Sequence, residues 1–230
     1  MITLPAPFDS LLREIESKAI TNFFGGPGAG KTNLCLLAAL NCIDSNGGTV
    51  TYIDTEGGFS FERLAQLFPT YKLVLNRINL LEPKSFQEQG EMIRNLAKTD
   101  LLIVDSVSAL YRLEYADSEQ KKQREVNAHI MEANRELSKQ LSILSTFARK
   151  NDIPVIVTSH TFKNWETGRD EIVGGDTVKY WSKGIVFLEK TGRSGERKAV
   201  LVKHRSQPEG KEVKFVIVQE GIKPSGFKLF

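Results

Sequence analysis

An eight-residue glycine-rich segment near the start of the chain most strongly constrains its fold. The segment reads Gly25-Gly26-Pro27-Gly28-Ala29-Gly30-Lys31-Thr32, and it lies between an apolar β-rich run at residues 19–24 and a helical pattern. Glycines here let the backbone turn tightly so that its N–H groups point inward, and the N-terminus of the following helix adds positive potential. A strand, this loop and a helix in this order predict a phosphate-binding site rather than an ordinary glycine-rich turn.

The last residues of the loop indicate which ligand it binds. Lys31 supplies a cation for β- and γ-phosphates, so the segment predicts binding of ATP or GTP. The hydroxyl of Thr32 is placed to bind Mg²⁺, which bridges phosphate oxygens and prefers oxygen ligands. Asn33, the next residue of the predicted helix, completes the predicted nucleotide contacts in this segment.

A second acidic group is expected near the metal, at the end of a buried strand. Residues 101–105 are four apolar residues followed by Asp105, which we predict to lie beside Thr32 and to bind the metal, through a metal-bound water. Apolar strands that end in aspartate are common, and a simple strand-end turn is the alternative. The phosphate loop is what favours the metal site.

Hydrolysis also requires a group that orients or deprotonates the attacking water. Glu56 is our candidate, because it lies just past a predicted strand at residues 49–54, where the ligand crevice of an open α/β sheet forms. Asp54, Thr55 and Glu56 all precede a helical pattern at residues 59–68, so helix capping remains an alternative for any one of them.

Apolar β-rich runs alternate with helical patterns through most of the chain, at residues 19–24, 49–54, 77–81, 101–105 and 153–159. The longest helical pattern spans residues 125–150, and its apolar face is Val126, Ile130, Leu137, Leu141 and Leu144. After Lys183, strand-like runs follow without helices, at residues 184–190, 198–204 and 213–218. We therefore predict an α/β fold with a mostly parallel central sheet flanked by helices and an antiparallel C-terminal extension.

Composition narrows the function classes. A chain of 230 residues with 40% hydrophobic residues suits one domain, and its net charge of +3 means that nucleic-acid contacts depend on local basic clusters. Neither a membrane span nor a secretory signal is evident, which predicts an intracellular, cytoplasmic protein. Cys35 and Cys42 fall on one predicted helix about 10 Å apart, too far for a disulfide.

Taken in order, these motifs resemble the RecA-type recombinase family. The phosphate loop, residues 52–58 and residues 101–106 occur in that family's order and spacing. Gly174-Gly175-Asp176, Pro208-Glu209-Gly210 and Gln219-Glu220-Gly221-Ile222 look like the C-terminal part of the archaeal RadA core. The triplet Lys203-His204-Arg205 is similar to the family's short archaeal paralogues, which lack an N-terminal helix-hairpin-helix domain. The resemblance implies one RecA-like ATPase domain over residues 1–230, without that N-terminal domain.

The resemblance also implies roles for particular residues. Glu56 corresponds to the water-activating glutamate, acting with Lys31, and Arg63 corresponds to an adenine-stacking arginine. A solvated helix residue is an equally good interpretation of Arg63. Residues 112–122 and 161–174 correspond to two DNA-facing loops, although the charged residues 117–125 also fit a mobile loop that leads into the long helix.

Three departures from the family's active members indicate weak activity. His160 stands where a polar amide usually senses the γ-phosphate, and it either donates to that phosphate or is an ordinary strand-end histidine. No Phe-x-x-Ala sequence, which links recombinase subunits, precedes the phosphate loop, and the second DNA-facing loop is short. We expect a weak ATPase with little or no strand exchange.

The predicted DNA footprint is a group of basic residues that would neutralise phosphates without reading bases: Lys203, His204, Arg205, Lys163 and Arg169, with Lys179 and Lys183 nearby in sequence. Alternation along a strand puts at most two residues of the triplet on one face, and lysines protecting a strand edge are a rival interpretation. Trp165 either stacks on unpaired bases or packs into the core.

Two classes of function follow. The favoured one is an accessory ATPase of DNA repair and homologous recombination that binds single-stranded or branched DNA, associates with the nucleoid, and modulates a RadA-type recombinase or a junction resolvase. The alternative is a DNA-stimulated motor, either a strand-exchange recombinase or a helicase-like ATPase. A signalling ATPase without a nucleic-acid role is the third interpretation.

Overall fold

A computed structural model describes residues 1–116 and 123–226 of the chain. The strands are β1 (Ile20–Gly25), β2 (Val50–Asp54), β3 (Ile78–Leu81), β4 (Leu101–Asp105), β5 (Val155–Ser159), β6 (Thr161–Lys163), β7 (Asp170–Ile172), β8 (Ser182–Lys190), β9 (Glu196–Lys203), β10 (Glu212–Val218) and β11 (Gly221–Pro224). The helices are α1 (Phe8–Leu12), α2 (Lys31–Asn46), α3 (Phe61–Leu67), α4 (Phe86–Arg94), α5 (Ala109–Ala116), α6 (Gln123–Asn151) and α7 (Gly175–Trp181), with two short 3₁₀ turns at Tyr71–Leu73 and Leu75–Arg77.

Nine of the strands in the described part of the chain form one sheet, in the order β11-β10-β9-β8-β1-β5-β4-β2-β3. The pairs from β3 across to β8 are parallel, whereas β8 to β11 pair antiparallel. The predicted α/β fold, with a mostly parallel sheet and an antiparallel C-terminal extension, is therefore confirmed. The strands β6 and β7 form a separate antiparallel hairpin.

The central strands are rich in apolar residues because helices cover both faces of the sheet. Every residue of β1, β2, β4 and β5 is buried, as expected for parallel strands with helices on either side. One core packs α1 and α2 against the sheet, and the other packs α4, α5, α6 and α7 against the opposite face. Since β1 alternates its side chains between these two cores, its C-terminal end is held rigidly where the glycine-rich segment begins.

The long helix matches its prediction closely, because α6 spans residues 123–151 where the pattern indicated 125–150. Leu137, Leu141 and Leu144 are buried, while Ile130 is half-buried. The side chain of Val126 lies outside the described residues, and so does most of the predicted mobile loop at 117–125. The first predicted DNA-facing loop, residues 112–122, is described only as far as residue 116, where it forms the end of α5.

Several short elements are absent from the predictions. These are two short helices, α1 and α7, and the β-elements formed by the β6–β7 hairpin and by β11, none of which exceeds seven residues. Cys35 and Cys42 both lie on α2 as free, buried thiols, as expected. Among the described helices, none combines the length and the apolar character that crossing a membrane requires.

Candidate functional site

The glycine-rich segment forms a tight loop between the end of β1 and the start of α2. Gly30, which precedes α2, has φ of 108°, a conformation that residues with a side chain rarely adopt. Gly25 is fixed for a different reason, because a Cβ atom there would lie 2.1 Å from the carbonyl oxygen of Leu188. The loop therefore packs directly against β8, and its shape depends on glycine at both ends.

Lys31 folds back over this loop. Its Nζ donates to the carbonyl oxygen of Gly25 at 2.9 Å and to that of Gly26 at 3.2 Å. Burial lowers the pKa of Lys31, while the nearby carboxylates of Glu56 and Asp105 oppose that shift. The ammonium group thus lies within the loop, close to two acidic side chains.

Asp105 lies at the end of β4 with its carboxylate almost fully buried and hydrogen-bonded. Oδ2 accepts a bond of 2.8 Å from the Tyr52 hydroxyl, and Oδ1 accepts a short bond from the Thr158 hydroxyl. Burial raises the pKa of Asp105, and the hydroxyls of Thr158, Thr32 and Tyr52 oppose the rise. Thr32 and Asp105, which we predicted to share a metal ion, are therefore neighbours.

Glu56 lies on the turn after β2, where it pairs with His160. Nε2 of His160 is 3.1 Å from Oε2 of Glu56, and Nδ1 is 3.3 Å from the Ser108 hydroxyl, which favours the Nε2–H tautomer. Although burial raises the pKa of Glu56, hydrogen bonds from His160 and Ser106 and the electrostatic effects of His160 and Lys31 together outweigh it, and the net pKa lies below its usual value.

The turn that carries Glu56 is shaped by other residues. The carboxylate of Asp54 accepts bonds from the backbone N–H groups of Glu56, Gly58 and Phe59, at 3.1, 3.1 and 2.8 Å. The N-cap of α3 is Ser60, whose hydroxyl accepts from the backbone N–H of Arg63. Glu56 therefore caps no helix, and its carboxylate, paired with His160, lines the cavity next to the loop.

These residues meet around one cavity of about 430 Å³. Its lining combines predicted residues with two others, and consists of Pro27, Gly28, Gly30, Lys31, Thr32, Asn33, Glu56, Asp105, His160, Arg197 and Ile217. Gly25, Gly26 and Ala29 lie behind it, where the first two accept bonds from Lys31 and the third is buried in the core. The cavity holds a cation, carboxylates, a hydroxyl and glycine backbone, which is the chemistry that a magnesium-bound polyphosphate requires.

Arg63 lies beside the cavity rather than in solvent. Its guanidinium donates to Asn33 Oδ1 at 2.7 Å, to the Gln66 side chain, and to the backbone carbonyls of Val218 and Gln219, each at 2.9 Å. Burial lowers its pKa, and Glu220 opposes the shift. The side chain thus ties α3 to α2 and to the end of β10, next to a residue that lines the cavity.

Sequence reasoning assigned no role to four residues that form the site: Tyr52, Thr158, Arg197 and Ile217. Tyr52 and Thr158 reach Asp105 because β2 and β5 flank β4, an order that no local pattern reveals. Arg197 arrives from a strand 169 positions after Gly28. Its only signal would have been the prediction that the C-terminal extension joins the same sheet.

The second predicted DNA-facing loop is a hairpin with an exposed aromatic tip. Trp165, at the turn between β6 and β7, is 94% exposed, and Phe162 is 45% exposed, so Trp165 does not pack into the core. Lys163 and Arg169 are also exposed on this hairpin. Asn164 shapes the turn by accepting from the backbone N–H groups of Glu166 and Thr167. The hairpin presents aromatic and basic side chains together.

The triplet Lys203-His204-Arg205 is tied to the rest of the chain. Nζ of Lys203 donates to the carbonyl oxygens of Lys179 at 2.7 Å and Ser182 at 2.9 Å, near the end of α7. The side chain of His204 is only 4% exposed and lies 3.6 Å from Glu16, which is also 3.8 Å from Arg205. Arg205 is the member of the triplet that presents a largely solvent-facing charge.

The chain is similar to known proteins over most of its length. The Rad51 family model matches residues 2–225. The chain is 41% identical over 212 residues to the "DNA repair and recombination protein RadB" of Methanococcus maripaludis strain C7, covering 90% of this chain and 93% of that protein. It is 38% identical over 218 residues to the protein of the same name from Methanocaldococcus jannaschii, covering 92% and 96%.

A solved structure supports the same relationship. The structure described as "Crystal structure of the RadB recombinase" superposes with a TM-score of 0.76 at 32% sequence identity, and covers 96% of this chain and 98% of the other. The resemblance to the short archaeal paralogues, which are the RadB proteins, is confirmed together with the RecA-like fold. The chain belongs to the Rad51 family.

Proposed function

We propose that this chain is an ATP-binding accessory protein of DNA repair and homologous recombination, with weak ATPase activity. The observation that carries the proposal is the single cavity in which Lys31, Thr32, Asp105 and Glu56 surround a glycine-rich loop. The names of the RadB relatives, which describe DNA repair and recombination, support the biological role.

The residues of the cavity fit ATP and Mg²⁺. Thr32 and Asp105 offer a hydroxyl and a carboxylate, the oxygen ligands that Mg²⁺ prefers in phosphate-loop sites. When bound, Mg²⁺ would neutralise charge on the phosphate oxygens. Lys31 exchanges its two carbonyl partners for phosphate oxygens, and the N–H groups at the start of α2 complete the cradle.

The contact between Glu56 and His160 supports slow hydrolysis. A general base acts best when its pKa lies near the working pH, and hydrogen bonds hold the pKa of Glu56 below its ordinary value. A carboxylate that already accepts from His160 also has one fewer lone pair for the attacking water. His160 in this position links the γ-phosphate side of the cavity to the hairpin, because β6 begins one residue later.

The proposed DNA contact is centred on the β6–β7 hairpin. Trp165 supplies an exposed platform for an unpaired base, and Lys163 and Arg169 supply charges for phosphates, which suits single-stranded or branched DNA. Arg205 adds a further exposed cation. Lys203 and His204 belong to the same proposed face, where their intramolecular partners give them a supporting role.

The proposed partners follow from this role. A protein that binds nucleotide and DNA but hydrolyses slowly suits regulation of another enzyme, with ATP acting as a conformational ligand. We infer a RadA-type recombinase and a junction resolvase as partners, and a nucleoid-associated, cytoplasmic location.

A DNA-stimulated motor is the alternative function, and the intact set of Lys31, Asp105 and Glu56 favours it. ATP turnover with and without single-stranded DNA separates the two functions, with Glu56→Gln as the inactive control. Little stimulation supports the accessory role, whereas a large stimulation contradicts it. A complete lack of salt-dependent DNA binding would contradict the nucleic-acid role and leave the signalling ATPase.

A further inference from the structure

Strand β9 brings an arginine to the phosphate loop that no motif contains. Nε of Arg197 donates to the carbonyl oxygen of Gly28 at 3.0 Å, and Nη1 donates to that of Gly195 at 2.8 Å. Its side chain lines the same cavity as Lys31, Thr32 and Asp105. An arginine from the antiparallel extension therefore completes a wall of the candidate nucleotide site.

The charge of this guanidinium has no counter-ion within the described residues. Neighbouring Glu196 is occupied elsewhere, because its carboxylate accepts from the hydroxyls of Thr191 and Ser225. Nη2 of Arg197 makes no hydrogen bond with the described part of the chain. Burial lowers the pKa of Arg197, yet a guanidinium stays charged at any physiological pH. The partly desolvated guanidinium of Arg197 therefore lines the cavity with Nη2 available to donate a hydrogen bond.

Two other arginines show what is particular about Arg197. The guanidinium of Arg63 already makes four hydrogen bonds with groups of the protein, so little of it is available to a ligand. Arg193 lies in the turn between β8 and β9, just before the strand that carries Arg197. Arg193 is exposed, and its side chain lines no part of the cavity. Of these three arginines, Arg197 is therefore the one that both lines the cavity and keeps a hydrogen-bond donor available.

We propose that Arg197 binds the phosphate chain of the nucleotide from within the same chain, an inference that rests on the proposed nucleotide site. The bond from Nε to Gly28 holds the guanidinium in place, so Nη2 donates a charge-assisted hydrogen bond to a phosphate oxygen with little loss of side-chain entropy. Because Arg197 belongs to β9, the contact also couples nucleotide binding to the C-terminal extension.

The test is calorimetric titration of the full chain with ADP and with a non-hydrolysable ATP analogue, in the presence of Mg²⁺. The variants are Arg197→Gln, Arg197→Lys and the matched control Arg193→Gln, which removes the same charge from the turn that precedes β9. Loss of a hydrogen bond to a charged group predicts about tenfold or greater weakening for Arg197→Gln. Arg197→Lys keeps the charge and loses less affinity, and Arg193→Gln keeps wild-type affinity.

Competition by inorganic triphosphate separates a phosphate contact from mere support of the loop. The potency of triphosphate falls in Arg197→Gln by a factor similar to that for ADP if the guanidinium binds phosphate. Unchanged triphosphate potency, equal losses in the Arg193 control, or a greater loss for Arg197→Lys than for Arg197→Gln would each overturn the inference. Wild-type protein that binds neither nucleotide overturns the proposed function itself, a distinct result.

Discussion

Removing the Tyr52 hydroxyl tests whether the buried carboxylate of Asp105 is ionised in the folded protein. Tyr52 is fully buried, and its hydroxyl donates to Asp105 Oδ2 at 2.8 Å. The ring keeps its edge contact with Phe59, whose centroid is 5.1 Å away, when the residue becomes Phe. The substitution therefore removes one hydrogen bond to a charged acceptor and leaves the packing intact.

The expected loss is about 2 kcal/mol, since hydrogen bonds to charged groups contribute about 1.5–3 kcal/mol. For a chain of this size, Tyr52→Phe then lowers Tm by about 4–8 °C at neutral pH. Tyr71→Phe is the matched control, because the Tyr71 hydroxyl makes no hydrogen bond with the described residues and its ring is only half-buried. Differential scanning fluorimetry and urea unfolding of both variants measure the effect.

The pH dependence of this loss has a definite sign. Burial raises the folded pKa of Asp105 above its unfolded value, so the stability associated with this group is fully present below the unfolded pKa and is lost as pH rises through the folded pKa. Tyr52→Phe removes a bond to the ionised form and raises the folded pKa further. The stability gap between wild type and variant therefore narrows as pH falls into the range where Asp105 is protonated in both. A gap that stays constant with pH, or that matches the Tyr71→Phe control, would contradict an ionised Asp105 in the folded protein.

Three further predictions concern His160, Trp165 and Lys203. His160→Ala removes a donor to Glu56, so the pKa of Glu56 rises and the acidic limb of the pH profile of kcat moves to higher pH. Trp165→Ala weakens single-stranded DNA binding by about 1–3 kcal/mol in fluorescence anisotropy, whereas Tyr180→Ala, an exposed aromatic outside the hairpin, does not. Lys203→Met loses two bonds to backbone carbonyls and lowers Tm, while the salt dependence of DNA binding stays unchanged.

The site residues predicted from the sequence are those that lie within or next to a recognisable local motif. Lys31 and Thr32 follow directly from the glycine-rich segment, and Asp105 follows from an apolar strand that ends in a carboxylate. Each depends on a local rule about where a strand stops, and parallel strands bring such ends to one edge of the sheet. These residues were predictable from the local sequence because they lie at or just after the ends of strands.

Other features of the site could not be predicted because they depend on tertiary structure, above all on which strands are neighbours in the sheet. Strand β8 pairs with β1 although their sequences lie far apart, and that pairing carries β9 and Arg197 to the phosphate loop. The hairpin strands β6 and β7 have three residues each, too few for an alternating pattern to be visible. His204 was predicted as a DNA contact, but it follows the last residue of β9, and its side chain is only 4% exposed beside Glu16.

The proposed nucleotide cavity is built from both halves of the sheet, and this has a mechanical consequence. The parallel half supplies Lys31, Asp105 and Glu56, while the extension supplies Arg197 and Ile217. Arg63 already bridges the two halves, because it bonds Asn33 on α2 and two carbonyls at the end of β10. A ligand that contacts residues from both the parallel half and the extension stabilises the relative arrangement of the two that binds it more tightly. The slow hydrolysis proposed above would prolong that arrangement, as expected if a partner senses the nucleotide state.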